Sequence, residues 1–310
     1  MTQLVSVLAL VMLFLFGLQT LSLELEKLAQ DQLRLWFQKL SQHTVLSWLL
    51  GFASTVVVQS SSAISVLALS LLNSKLLDLR TALLILMGAN VGTASTAFLV
   101  SAKIQHLGDY LIVLGSILSF LKLKTRVLGK SIFYFGLILF TLDQLAMELK
   151  NPNQFQFLVD YLKEETSAWH LLLWGILSTI IFQSSSVVTG LVVLLGQQGL
   201  LELTQGLYVI LGSNIGTTST GFIGSLQLDT QAKHLALWNT FFNTFTALII
   251  FPTIPWFAQA LQIINGSQHK LGLQHAMGHL GFNLVLSLFF FPTLEFWLHL
   301  YSKWMNRGSS

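Results

Sequence analysis

Apolar residues fall along this chain in long blocks, divided by short charged stretches. Windows free of Asp, Glu, Lys and Arg run 1–23, 44–74, 81–102, 166–201, 203–228, 234–269 and 271–294. Several exceed the roughly 20 residues that cross a hydrocarbon core. Blocks of that length predict helices, since a membrane barrel would show short alternating segments. The expected spans are 4–22, 81–102, 110–121, 131–147, 203–226, 232–253 and 273–300. Residues 24–42 mix charge (Glu24, Glu26, Lys27) with Leu25, Leu28, Trp36 and Phe37, which predicts a helix in the interface or a cytoplasmic connector. A second interface segment is expected at 150–165.

Two windows have the wrong length for one span. Residues 44–74 as a single helix would measure roughly 46 Å, against a core of roughly 30 Å. Gln59-Ser60-Ser61-Ser62 lies near its middle, and Gln183-Ser184-Ser185-Ser186 lies in the middle of 166–201. Folding at those points gives two re-entrant hairpins with polar tips near the midplane. Irregular backbone at that depth must be buried in protein or line a wet cavity.

The resemblance between the hairpins extends further. Gly51–Phe98 aligns without a gap to Gly175–Phe222 at an offset of 124, with 20 of 48 positions identical. After each tip comes a polar, glycine-containing stretch: Gly88 to Thr96, with Asn90, Thr93 and Ser95, and Gly212 to Thr220, with Asn214, Thr217, Thr218 and Ser219. Such composition is a poor helix interior, so broken helices are expected at 88–96 and 212–220. The chain therefore reads as an internal duplication. An odd number of full spans per copy turns the second copy upside down, which gives repeat 1 over 1–126, repeat 2 over 127–255 and a C-terminal interface segment and span over 256–310. With that threading, 12 of the 16 basic residues collect on one side and 4 on the other. The richer side is expected to be cytoplasmic.

Composition agrees with the pattern. The chain has 310 residues, of which 53% are hydrophobic and 9% charged, against about 25% charged in soluble domains. The first window lacks a basic start and a small-residue cleavage site, so it is read as a span and not a signal peptide. Absence of cysteine excludes disulfides and thiolate metal sites, and a net charge of +3 gives no reason to expect nucleic acid. The fold class is thus an all-α polytopic membrane protein of two inverted repeats, expected in the cell (inner) membrane.

The tips carry no charge. Hydroxyls and amides donate and accept, and N–H groups at a helix start favour anions. Two such starts form a neutral cradle for a compact oxyanion. A multiply charged anion there needs balancing charge, and a co-bound alkali cation on Thr, Ser, Asn and Gln oxygens would supply it. The residues alone point to an alkali-cation-coupled anion carrier.

The paired Gln-Ser-Ser-Ser tips, with Gly-Ala-Asn-Val-Gly-Thr and Gly-Ser-Asn-Ile-Gly-Thr-Thr-Ser-Thr, resemble the type II sodium-phosphate cotransporter family over roughly residues 5–255. The resemblance implies sodium-driven symport of inorganic phosphate by alternating access, with no cofactor and sodium as a co-transported ligand. It implies phosphate at Ser60, Ser61, Ser62, Ser184, Ser185, Ser186, Asn90 and Asn214. It implies sodium at Gln59, Gln183, Thr93, Ser95, Thr96, Thr217, Thr218, Ser219, Thr220, Gln105, Asp109 and Asn243. A homodimer is left open. The family's His-x-x-Phe-Asn element is absent from repeat 1 and appears as Asn239 to Asn243 in repeat 2. The full form, His279 to Asn283, occurs only near the C-terminus.

Other readings fit less well. A phosphate or anion channel, or an exporter of the same fold, is the nearest alternative, and a phosphate sensor would need a soluble domain. An intramembrane serine protease leaves the second serine triplet unexplained. His275 and His279 have metal-ligand spacing, but Ala276 stands where a metalloprotease needs glutamate, so a packed pair is expected.

Overall fold

A computed structural model describes residues 2–40, 43–102, 106–121, 126–148, 167–265 and 271–307. Among these residues all regular elements are helices. Five of the stretches are long and apolar enough to cross a membrane: Val5–Lys39, Leu79–Ser101, Arg126–Glu148, Thr230–Ile264 and Leu271–Lys303.

The first helix, α1 (Thr2–Leu40), corrects one expectation. The span 4–22 and the expected interface helix from residue 24 up to Leu40 are a single helix. Its sequence contains no proline, and two of the charges that suggested a boundary, Glu24 and Lys27, pair with each other. Glu24 is buried, and its Oε1 lies 3.0 Å from Lys27 and 3.6 Å from Lys130. Lys130 belongs to α6 (Arg126–Glu148), which packs along α1 and against α5 (Leu107–Phe120). The α5–α6 contact is set by small residues. A Cβ on Gly108 would stand 2.4 Å from the Phe140 nitrogen, and one on Gly115 2.3 Å from the Phe133 nitrogen. Close backbone approach of this kind is the usual basis of helix association in lipid.

Both expected hairpins form. The first is α2 (Thr44–Val58) and α3 (Ser61–Asn73); the second is α7 (Ala168–Phe182) and α8 (Ser185–Gln197). At roughly 1.5 Å per residue each arm is roughly 20–22 Å long, too short to cross alone. Each reverses at its glutamine, which is left-handed (φ 57° at Gln59, 52° at Gln183), followed by an extended serine. The exits match as well. Lys75 and Gly199, 124 positions apart, both take positive φ, and Leu76 N–H to Leu71 C=O recurs as Leu200 N–H to Leu195 C=O. That six-residue closure is a Schellman-type stop.

The helices that follow correct a second expectation. The first, α4 (Leu79–Ser101), runs unbroken through Gly88–Thr96. The second is interrupted only at Thr217, between α9 (Leu203–Gly216) and α10 (Thr218–Ser225), and Thr217 keeps right-handed helical angles. The glycines serve close packing instead of unwinding. A Cβ on Gly51 would lie 2.0 Å from the Ile85 oxygen, and one on Gly88 1.9 Å from the Trp48 oxygen. In the second copy, a Cβ on Gly175 would lie 2.0 Å from the Val209 oxygen and one on Gly212 2.0 Å from the Leu172 oxygen. A Cβ on Gly92 or Gly216 would lie 2.8 Å from the Cβ of Thr55 or Thr179. All six contacts repeat at the offset of 124. Each hairpin's first arm is therefore in backbone contact with the helix beyond its second arm.

Three further elements complete the fold: α11 (Thr230–Ile250), α12 (Ile254–Asn265) and α13 (Leu271–Arg307). The expected boundary at 255/256 falls inside α12. Phe251–Thr253 forms a 3-10 turn before α12, whereas the similar Phe291-Pro292-Thr293 stays within α13. Phe242 of α11 stacks on Phe290 of α13 with ring centres 4.0 Å apart. The expected interface segment at 150–165 lies outside the described residues.

Candidate functional site

The two hairpin tips line one cavity of about 540 Å³. Its wall includes Gln59, Ser60 and Ser62 from the first tip and Gln183, Ser184 and Ser186 from the second. One face of α1, with Gln19, Ser22 and Glu26, closes the side. The tips also touch directly: the Ser62 hydroxyl donates to the Gln183 carbonyl at 3.4 Å, and Thr220 Oγ1 donates to Ser62 Oγ at 3.5 Å. Helices α3 and α8 both begin at this wall, so first-turn N–H groups lie beside it. That is an arrangement suited to anions.

The sequence did not separate the serines within each triplet. Ser60, Ser62, Ser184 and Ser186 reach the cavity. Ser61 and Ser185 are buried and absent from its lining.

The first tip is tightly held. Ser22 Oγ donates to the Gln59 carbonyl at 3.1 Å. Thr96 Oγ1 donates to Gln59 Oε1 at 2.9 Å, and Gln59 Nε2 donates to Ser95 Oγ at 3.2 Å. Ser60 caps α3 by accepting the Ala63 N–H at 3.2 Å. The second tip has few of these ties. Gln183 is exposed, its side chain has no hydrogen-bond partner among the described residues, and Ser184 makes no side-chain cap. Ser219, the counterpart of Ser95, has an unpaired buried hydroxyl.

Other expected residues lie behind the tips. Thr93 Oγ1 donates to the Ala89 carbonyl at 3.0 Å and Thr218 Oγ1 to Ile215 at 2.8 Å. Thr217 Oγ1 and Asn90 Nδ2 are buried and unpaired. Unmatched buried polar atoms of this kind call for a partner or a function. Asn243 is buried in α11 and donates to the Asn239 carbonyl at 2.9 Å, away from the cavity wall. Asp109 is not at the tips either. It accompanies His106, Asp143 and Gln197 around a separate cavity of about 330 Å³. Gln105 lies outside the described residues.

Two partners were missed from sequence. His279 Nε2 donates to Asn214 Oδ1 at 3.0 Å, and both residues are buried. His275 faces the Glu202 carbonyl at 3.4 Å, so the two histidines serve different neighbours. The repeated Asn-x-Gly-Thr and the separate His-x-x-Phe-Asn were visible, but not their contact across 65 residues. Glu26 is the second omission, since assigning 24–42 to the interface took it away from the tips.

Comparison with known proteins agrees with this architecture. A family model described as Na+/Pi-cotransporter matches residues 13–147 and 155–268, and each segment holds one serine tip. An uncharacterized protein of Bacillus subtilis, YqeW, is 26% identical over 303 residues, 97% of both chains. The putative inorganic phosphate export protein YjbB of Escherichia coli K12 is 25% identical over 300 residues, 95% of this chain but 54% of its own length. The chain thus spans about half of that relative. The sodium-dependent phosphate transport protein 2A of Ovis aries is 47% identical over 56 residues, 18% of this chain and 9% of its own. No solved structure matches. With the family matched across most of its length and five membrane-length helices, this multi-pass membrane protein is a transporter and not an enzyme, and it belongs to the Na+/Pi-cotransporter family.

Proposed function

We propose that this protein is a secondary active transporter that moves inorganic phosphate through the cavity between its tips by alternating access, coupled to sodium. Two copies threaded in opposite directions would bring the tips to one depth from opposite faces. The observation that carries the reading is the cavity wall itself. Four serines and two helix starts line it, with no Lys or Arg among the lining residues. A dehydrated phosphate there is held by hydroxyl and N–H dipoles, and its remaining charge needs a travelling cation. Sodium fits the neutral oxygens of Gln59, Ser95, Thr96, Gln183, Ser219 and Thr220. The unpaired Asn90, Thr217 and Ser219 groups are the places where a ligand would restore pairing.

Purified protein in liposomes should accumulate labelled phosphate when a sodium gradient points inward, and should not with potassium in its place. Sodium-independent uptake would remove the coupling. Ser62→Ala and Ser186→Ala should each cut phosphate flux about tenfold, the effect of losing one or two kcal/mol of hydrogen bonding. Ser61→Ala and Ser185→Ala should cut it less. Direction has a second reading, because the Escherichia coli relative is named as an export protein. Export is distinguished by loading phosphate inside and reversing the gradient.

A further inference from the structure

Glu26 is the one ionisable side chain among the described residues that line the tip cavity. It is reached by following α1. Gln19, Ser22 and Glu26, spaced by three and four, form a polar stripe on a face that otherwise carries Met12, Leu15, Phe16 and Leu23. Ser22 already touches the first tip through the Gln59 carbonyl. Glu26 also lines a second cavity of about 170 Å³ with Gln30, Val58, Ala63 and Ser70, so it stands where the two spaces adjoin.

Its neighbour Glu24 shows what Glu26 lacks. Glu24 is paired with Lys27 and Lys130, whereas Glu26 has no hydrogen bond or ion pair to any described residue. An unpaired carboxylate on a partly dehydrated wall is costly. It also repels any anion that shares the cavity, and low dielectric strengthens the repulsion. A bound monovalent cation removes both penalties. A single carboxylate with neutral Gln and Ser oxygens suits an alkali ion better than a divalent one, which draws more charge or more ligands.

We propose that Glu26, with Gln19 and Ser22, forms an alkali-cation site on the cavity wall, and that filling it admits the anion to the serines. This rests on the phosphate-transport reading for the second half of the statement only, because cation binding is measurable alone. Binding of radioactive sodium to detergent-purified full-length protein is measured without phosphate, for wild type, Glu26→Gln and Glu26→Asp. Monodispersity and melting temperature confirm folding of each variant. The expected result is a loss of one sodium per chain, or an approximately tenfold weaker affinity, in Glu26→Gln, with Glu26→Asp restoring most of it. The phosphate flux of Glu26→Gln should need correspondingly more sodium.

Sodium binding by Glu26→Gln identical to wild type overturns the site, as does a wild type that binds no sodium. A flux whose pH dependence disappears in Glu26→Gln while its sodium titration is unchanged also overturns it, and makes the group a proton carrier. If wild type binds sodium through Glu26 but moves no phosphate, the transport reading falls and the cation site stands. If transport is sodium-driven and Glu26→Gln titrates normally, the reverse holds.

Discussion

The two tips share a sequence, a turn and a packing scheme, yet they are held differently. In the first, Gln59 ties the turn to Ser95 and Thr96, Ser22 grips its carbonyl and Ser60 caps α3. In the second, Gln183 is exposed, Ser219 is unpaired and Ser184 makes no cap. The scaffold beneath is the same in both, with glycine contacts at matching positions. Identical motifs therefore do not imply identical environments. The common part is backbone packing, and the difference lies in side-chain hydrogen bonds that can be made and broken cheaply. One tip is tied to its own helix by side-chain bonds, and the other is held by fewer of them.

The largest effects should test the shared part. Gly88→Ala and Gly212→Ala each place a Cβ within about 2.0 Å of a backbone oxygen. Each should cost about 3 kcal/mol or more, since the contacting atom is main chain and cannot rotate away. Thermal unfolding in detergent reads this, and a large loss in only one of the two would break the symmetry of the scaffold. Next, Gln59→Ala should cost roughly 1–3 kcal/mol, because it strands the groups the amide satisfies. Gln183→Ala should change stability by under about 0.5 kcal/mol. Equal losses would mean that the second tip is also locked. Ser60→Ala should then lose about 1 kcal/mol of capping, with Ser184→Ala near neutral. The hairpin exits give small effects of opposite sign. Lys75→Gly should stabilise by about 0.5 kcal/mol, as left-handed strain is relieved against added chain entropy. Gly199→Ala should destabilise by about 1 kcal/mol.

Much of this fold was legible from charge spacing. The hairpins follow from a window too long for one crossing and a polar tetrapeptide at its centre. What misled was glycine. Gly88, Gly92, Gly212 and Gly216 were read as helix breakers, because a glycine costs about 1 kcal/mol in an isolated helix. Inside this protein the same residues admit Trp48, Phe52, Leu172 and Ile176 to backbone contact, and that packing outweighs propensity. The charges of Glu24 and Lys27 were read as a helix boundary, although ion pairs within one continuous helix also explain them. At the site, the serine triplets were found, but not which serines face inward. Outward and inward positions at a helix start depend on turn angles that sequence alone leaves open. The His279–Asn214 contact joins distant segments, and a single sequence carries no signal for that pairing.

The backbone contacts at Gly51, Gly88, Gly175 and Gly212 leave no cushion of side chains on which one helix could glide past its neighbour. Helices α2 and α4 are consequently held as one unit, and α7 and α9 as another. A chemical staple from residue 62 to residue 220, which joins the two copies, should slow phosphate flux in liposomes.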